Sequence, residues 1–356
     1  MIIKLGEVAS YINGYAFKPS DWSDNGMPII RIQDLTGNSY KMNRYNGDVE
    51  QKYKVKEGDV LISWSASLGV YVWHGENAVL NQHIFKVVFD KTDVSKDYFV
   101  YQIEYRLKNA ASAAHGATMK HLTKAVFNAL PFYLPKKEEQ EKIAKVLNKI
   151  TELTNKTRKQ AKLLDDIIKS RFIELFGDPV YNTKNNKKKT LEQIGKWASG
   201  GTPSRNNGSY FEGTIDWYSA GELNSLYLNN SIEKITDEAI NCSSAKLFPA
   251  GSMLVGMYDT AAFKMGILKK TSSCNQACAC VIPNENINII WLYYELYLMK
   301  EYFLSQRRGV RQKNLNLGMI KKFEIPVSKY EDQLIFADFV AQTDKSKHFC
   351  EMEVAA

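Results

Sequence analysis

The stretch Lys136-Lys137-Glu138-Glu139-Gln140 opens a run that continues to Phe176 with no glycine and, beyond Pro135, no proline. It returns 193 residues later as Lys329-Tyr330-Glu331-Asp332-Gln333. Working outward at that offset, Gly58-Asp59-Val60-Leu61-Ile62 matches Gly251-Ser252-Met253-Leu254-Val255. Gly116-Ala117-Thr118-Met119-Lys120-His121-Leu122 likewise matches Gly309-Val310-Arg311-Gln312-Lys313-Asn314-Leu315. Asn81-Gln82 comes back as Asn275-Gln276, and near the start Leu5-Gly6 pairs with Ile194-Gly195. Each match alone is weak, but their common order and near-constant spacing mark a duplicated chain.

Each copy reads in two parts. The first mixes strands with one helix. Val60 to Ser63, Val70 to Trp73 and Ile84 to Phe89 have strand character, as do Met253 to Met257 and Ala279 to Ile282. Helical patterns follow near Lys96 to Ala114 and Ile290 to Gln306. The second part is a long helix closed by Gly177-Asp178-Pro179. Ile143, Val146, Ile150, Leu153, Thr157, Gln160, Leu164 and Ile167 fall at its a and d heptad positions, with Leu147, Ala161, Ile168 and Leu175 beside them. A rod of some 60 Å is longer than a helix lying on its own domain needs, so an interdomain coiled coil is the better reading. The expected segments are a first domain at 1–136, a spacer helix at 137–178, a linker at 179–190, a second domain at 191–329 and a shorter spacer helix at 330–356.

The chain is 44% hydrophobic and 24% charged, which excludes wholesale disorder, and its formal charge of +8 permits a polyanionic partner without requiring one. Lys4 and Glu7 interrupt any signal-peptide pattern, and the apolar run Ile287 to Met299 carries Glu295. With five scattered cysteines, the expectation is a soluble, reduced, cytoplasmic protein with no membrane contact. None of the 21 glycines forms Gly-x-Gly, which removes the usual dinucleotide and phosphate loops. Cys274-x3-Cys278-x-Cys280 lacks a matching second pair and reads as core packing. The histidines show no ligand spacing, so no metal site and no catalytic residue is expected.

A domain ending in Leu130-Pro131-Phe132-Tyr133-Leu134-Pro135-Lys136-Lys137-Glu138-Glu139-Gln140, then a long heptad helix, then the same arrangement again, resembles the specificity subunit of type I restriction-modification systems. The resemblance implies an α+β fold: two mixed α/β target-recognition domains in a tandem pseudo-twofold repeat, separated by long antiparallel coiled-coil helices. It implies a subunit that catalyses nothing and reads a bipartite asymmetric target in double-stranded DNA. Two methyltransferase subunits and restriction subunits would be its partners. S-adenosylmethionine, ATP and magnesium would belong to those partners, so no cofactor is expected here. Two other readings stay open: a duplicated protein-binding scaffold that dimerises through its coiled coil, and a free-standing DNA methyltransferase with unrecognised motifs.

DNA contacts are expected in loops that follow the helix of each domain, where phosphate and base contacts converge without disturbing a core. These are His115, Thr118, Lys120 and His121 in the first copy, and Arg307, Arg308, Arg311, Gln312, Lys313 and Asn314 in the second. Ser65, Ser67, Tyr258, Lys264, Arg31 and Arg205 are secondary candidates. For methyltransferase docking the resemblance points to the long helix and its start, at Glu138, Gln140, Ile143, Lys145, Lys149 and Arg158. At the repeat offset, Ile143, Val146, Leu147 and Ile150 become Phe336, Phe339, Val340 and Thr343, after which the second helix turns polar. The second helix thus reads as roughly half the length of the first, which leaves Leu164, Ile167, Ile168 and Phe172 needing cover. Packing against the second domain is the default expectation, with a homodimer of the isolated chain next.

Overall fold

The computed structural model describes residues 1–65, 67–113, 123–306 and 314–355. The chain divides into two compact units, Met1–Asn155 and Lys156–Ala356. In the first, an antiparallel sheet runs in the order Ser10–Asn13, Ile84–Val88, Val60–Ser63, Gly69–Val72. All four residues of Val60–Ser63 are buried because both faces of the strand are covered. Val60 and Ile62 join one core with Phe85, Phe99 and Ile103, while Leu61 joins another with Ile30 and Leu80. That is the two-residue alternation of a strand placed between two apolar layers. The helix Lys96–Ala113 supplies Phe99, Ile103 and Leu107 to the first layer.

The second unit repeats this plan. Gly195–Ser199, Cys278–Pro283, Met253–Gly256, Met265–Leu268 and Tyr227–Leu228 form its main sheet in that order. Met253 and Val255 face one core with Trp291 and Phe303, and Leu254 faces the other with Tyr218 and Leu268. Cys274, Cys278 and Cys280 are buried in that second core, as the packing reading expects. A smaller sheet in each unit contains one parallel pair, Ile29 beside Val79 in the first and Trp217 beside Ser273 in the second.

The linker needs correction. Lys188–Thr190, its last three residues, form a strand antiparallel to Glu324–Pro326, matching the pairing of Ile2–Lys4 with Pro131–Tyr133 in the first unit. Before it the chain turns tightly through Gly177, Asn182 and Asn185, all at positive φ. Asp178 Oδ1 accepts from the N–H groups of Val180 and Tyr181 at 2.8 and 3.1 Å.

The long helices span Lys137–Phe176 and Tyr330–Ala355, 40 and 26 residues, so the second is two-thirds rather than half as long. They run antiparallel within the second unit: Lys347 Nζ lies 2.9 Å from Asp165, and the Phe336 ring lies 5.2 Å from that of Phe172. Ile168 and Phe172 are fully buried in the second unit's own core, which is the intramolecular cover expected for them. The heptad seam is not what the fold buries, however. Val146, Ile150, Leu153 and Ile167 are exposed, Ile150 at 53%. The buried side instead carries Ala144 at one end and Ile168, Phe172 and Phe176 at the other. Each unit takes the end of the helix nearest to it as part of its own core.

The repeated Glu-Glu-Gln and Glu-Asp-Gln motifs acquire a physical reason here. Gln140 is 1% exposed; its Oε1 accepts from Ser95 N at 2.8 Å and its Nε2 donates to Pro135 O at 2.9 Å. Gln333 does the same in the other copy, accepting from Asn288 N at 2.8 Å and donating to Ser328 O at 2.9 Å. One amide thus ties the start of each long helix to the start of the helix beside it and to the preceding turn. Gln140 is therefore internal to its unit, and its assignment to a docking surface is corrected on that ground.

Candidate nucleic-acid interface

The same close approach of backbone organises one end of the sheet in both units. Gly14 and Gly200 follow the first sheet strand of their copies. A Cβ on Gly14 would lie 2.3 Å from Leu80 O and 2.2 Å from Asn81 O. On Gly200 it would lie 2.3 Å from Cys274 O and 2.4 Å from Asn275 O. Only glycine leaves room for this crossing. Gly200→Ala is expected to destabilise by about 1–3 kcal/mol, the usual range for overpacking, in urea unfolding. Gly208→Ala, with nothing within 4 Å of its Cβ, serves as the near-neutral comparison.

Beside each glycine lies the repeated Asn-Gln turn. Asn81 N donates to Ile30 O at 3.1 Å and Asn81 O accepts from Ile84 N at 3.2 Å. Asn275 N donates to Tyr218 O at 2.9 Å and Asn275 O accepts from Cys278 N at 3.1 Å. The asparagine side chains close the turn on their own backbone, Asn81 Oδ1 accepting from Gln82 N and Asn275 Oδ1 from Ala277 N. The glutamine is left to point outward. In the first unit Asn13, Tyr15, Tyr53, Trp64, Gln82 and His83 line a cleft of about 460 Å³ at this turn. Tyr15 and Tyr53 meet edge to face at 5.5 Å, and Trp64 and His83 at 5.4 Å. Aromatic walls with amide groups suit planar, hydrogen-bonding ligands such as bases.

In the second unit Met257 N donates to Ala277 O at 2.9 Å, and Met257 O accepts from Leu315 N at 2.8 Å. Leu315, two residues beyond the basic stretch 307–313, is therefore joined through Met257 to the residue that ends the Asn-Gln turn, Ala277. His115, Thr118, Lys120, His121, Arg307, Arg308, Arg311, Gln312 and Lys313 lie outside the described residues; Asn314 is described and exposed.

The secondary candidates divide. Tyr258 and Ser67 are exposed and Lys264 is half-buried. Ser65 is buried, so its expected surface role is corrected. Arg31 is occupied in its own loop, with Nε 2.9 Å from Asp34 Oδ2 and an Nη donating to Ser39 and Lys41 O. Arg205 forks onto both oxygens of Glu233 at 2.5 and 2.8 Å and stacks over Phe211 and Trp217. That pairing holds the Glu233 carboxyl below its ordinary range and lifts the guanidinium. Nearby, burial opposes the charge of Asp216, but Lys270 at 2.6 Å and the Ser231 N–H and hydroxyl keep its carboxyl below its ordinary range. Among the helix candidates Glu138, Lys145, Lys149 and Arg158 are exposed, and Ile143 packs partly into the first core.

Sequence reading missed the aromatic cleft, because its walls come from four separate stretches. The repeated Asn-Gln pair was the available signal. Among the described residues no cluster of three or more His, Cys, Asp or Glu could hold a metal ion, and no helix is long and apolar enough to cross a membrane.

The family model of the type I restriction modification DNA specificity domain matches residues 1–164 and 183–349. The type I restriction enzyme EcoR124I/EcoR124II specificity subunit of Escherichia coli is 28% identical over 214 residues, 58% of this chain and 52% of that protein. The chain therefore spans about half the length of that relative. The MjaVIII specificity subunit of Methanocaldococcus jannaschii is 21% identical over 371 residues, 96% of this chain and 85% of that one. The crystal structure of the S subunit of a type I restriction-modification system from M. genitalium superposes with a TM-score of 0.59 at 13% identity, over 100% of this chain and 92% of that one, a likeness of fold.

Proposed function

Since the chain belongs to the type I restriction modification DNA specificity domain family, we propose that it is the non-catalytic DNA-recognition subunit of a type I restriction-modification complex. The observation that carries this is the family match over both halves of a duplicated chain. Two units with the same sheet plan, glycine crossing and Asn-Gln turn offer similar surfaces to two half-sites, much as dimeric repressors do. Divergence between the copies, Tyr15 and Trp64 against Gly201 and Met257, lets the half-sites differ. The partners are double-stranded DNA, two methyltransferase subunits and restriction subunits, in the cytoplasm. S-adenosylmethionine, ATP and magnesium are theirs to bind. Docking of methyltransferase on the long helix is supported by exposed Val146, Ile150 and Leu153 beside Lys145 and Lys149, apolar surface that water disfavours.

Binding of random duplexes to the chain assembled with methyltransferase subunits tests this. Selection of a bipartite asymmetric site is expected, and absence of any selected sequence would overturn the reading. Arg311→Ala with Lys313→Ala should weaken binding to that site and flatten its dependence on salt, because two phosphate or base contacts are lost. Unchanged affinity and salt slope would remove that loop from the interface.

A further inference from the structure

We propose that the Asn-Gln turn is the base-reading element of each unit, and that its two copies read different base edges. The inference rests on the DNA-reading function proposed above and assigns residues to it. Three observations place the glutamines. The asparagine of each turn is committed to the backbone, so the turn is rigid and the next side chain is aimed outward. In the second unit the turn is bonded through Met257 to Leu315, two residues beyond the basic stretch. In the first unit Gln82 lines the aromatic cleft.

The copies differ in what holds the amide. Thr202 donates its hydroxyl to Gln276 Oε1. Counted from the glycine crossing, Ala16 stands where Thr202 does, and its methyl group has nothing to donate. Gln82 has no side-chain hydrogen bond among the described residues, so both ends of its amide are available. An amide with both ends available pairs with adenine, accepting from N6 and donating to N7. Gln276 has its oxygen turned to Thr202 and presents its Nε2 donors, which suit the acceptors of guanine or the O4 of thymine. Gln82 thus reads adenine in one half-site and Gln276 reads an acceptor edge in the other.

The test compares sequence selection from a random duplex library by the assembled complex carrying the parent chain, Gln82→Leu or Thr202→Val. Leucine keeps the bulk of the exposed residue and removes its hydrogen bonds, so folding is undisturbed. Gln82→Leu is expected to lower the preference for adenine at one position of one half-site by about 10-fold or more, with the other half-site unchanged. Thr202→Val should leave that half-site alone and admit adenine at one position of the other. A Gln82→Leu complex that selects the parent's site with the parent's stringency overturns the assignment. So does one that weakens equally on every sequence, which is the mark of a phosphate contact. A parent complex with no sequence preference would instead defeat the recognition function itself, and the inference with it.

Discussion

Gln140→Ala is expected to lower stability by about 2–4 kcal/mol, and Gln333→Ala by a similar amount. Each amide makes one donated and one accepted hydrogen bond, 2.8 to 2.9 Å long, at a site closed to water. Truncation forfeits both bonds and strands a backbone N–H and a carbonyl. Leaving a buried group unpaired costs about 1–3 kcal/mol, more than the net worth of the bond itself. Gln140→Glu should be no milder, since it sets a carboxyl oxygen against Pro135 O where an N–H donor stood. The exposed neighbour Glu141→Ala should change stability by less than about 0.5 kcal/mol. Urea unfolding of the four variants decides the matter. A Gln140→Ala midpoint equal to that of Glu141→Ala would show that the amide holds nothing together.

The same glutamines show where sequence reading works and where it stops. The repeat exposed the motif, but a Gln in the first turn of a polar helix looks solvated, and its burial depends on Ser95 and Asn288, each 45 residues away. Strands such as Val60–Ser63 were legible because continuous apolar runs have few other uses. The linker strand Lys188–Thr190 was not, because nothing in three polar residues marks them as paired with Glu324–Pro326. Heptad positions predicted which helix residues are apolar, not which of them a neighbour covers. Phe336 meets Phe172, whereas Ile150 remains open. Arginines carry the deepest ambiguity. Arg205 reads the same from sequence whether it is free for DNA or forked onto Glu233, and its partner lies 28 positions away.

Glu295→Gln is expected to stabilise the protein, by an amount that grows with pH. The carboxyl is 1% exposed, and its Oε1 has no hydrogen-bond partner among the described residues. Burial, and then the neighbouring charge of Asp178, push its pKa well above the usual carboxylate range. A raised folded-state pKa fixes the sign. The contribution to stability is fully present below the unfolded value of about 4.3, declines as pH rises, and is lost once pH passes the folded value. Between those two values the decline approaches about 1.4 kcal/mol per pH unit. Glutamine has no such proton to lose. It is also what the first copy carries at this point, Gln102, whose Nε2 donates to Tyr98 at 3.0 Å. Thermal melts of parent and variant, followed from pH 4.5 to pH 8, should therefore nearly coincide at the lower end and separate as pH rises toward the folded value, with the variant melting higher. A constant gap across that range would mean that Glu295 does not change its proton on unfolding, and a gap that closes as pH rises would reverse the sign of the argument.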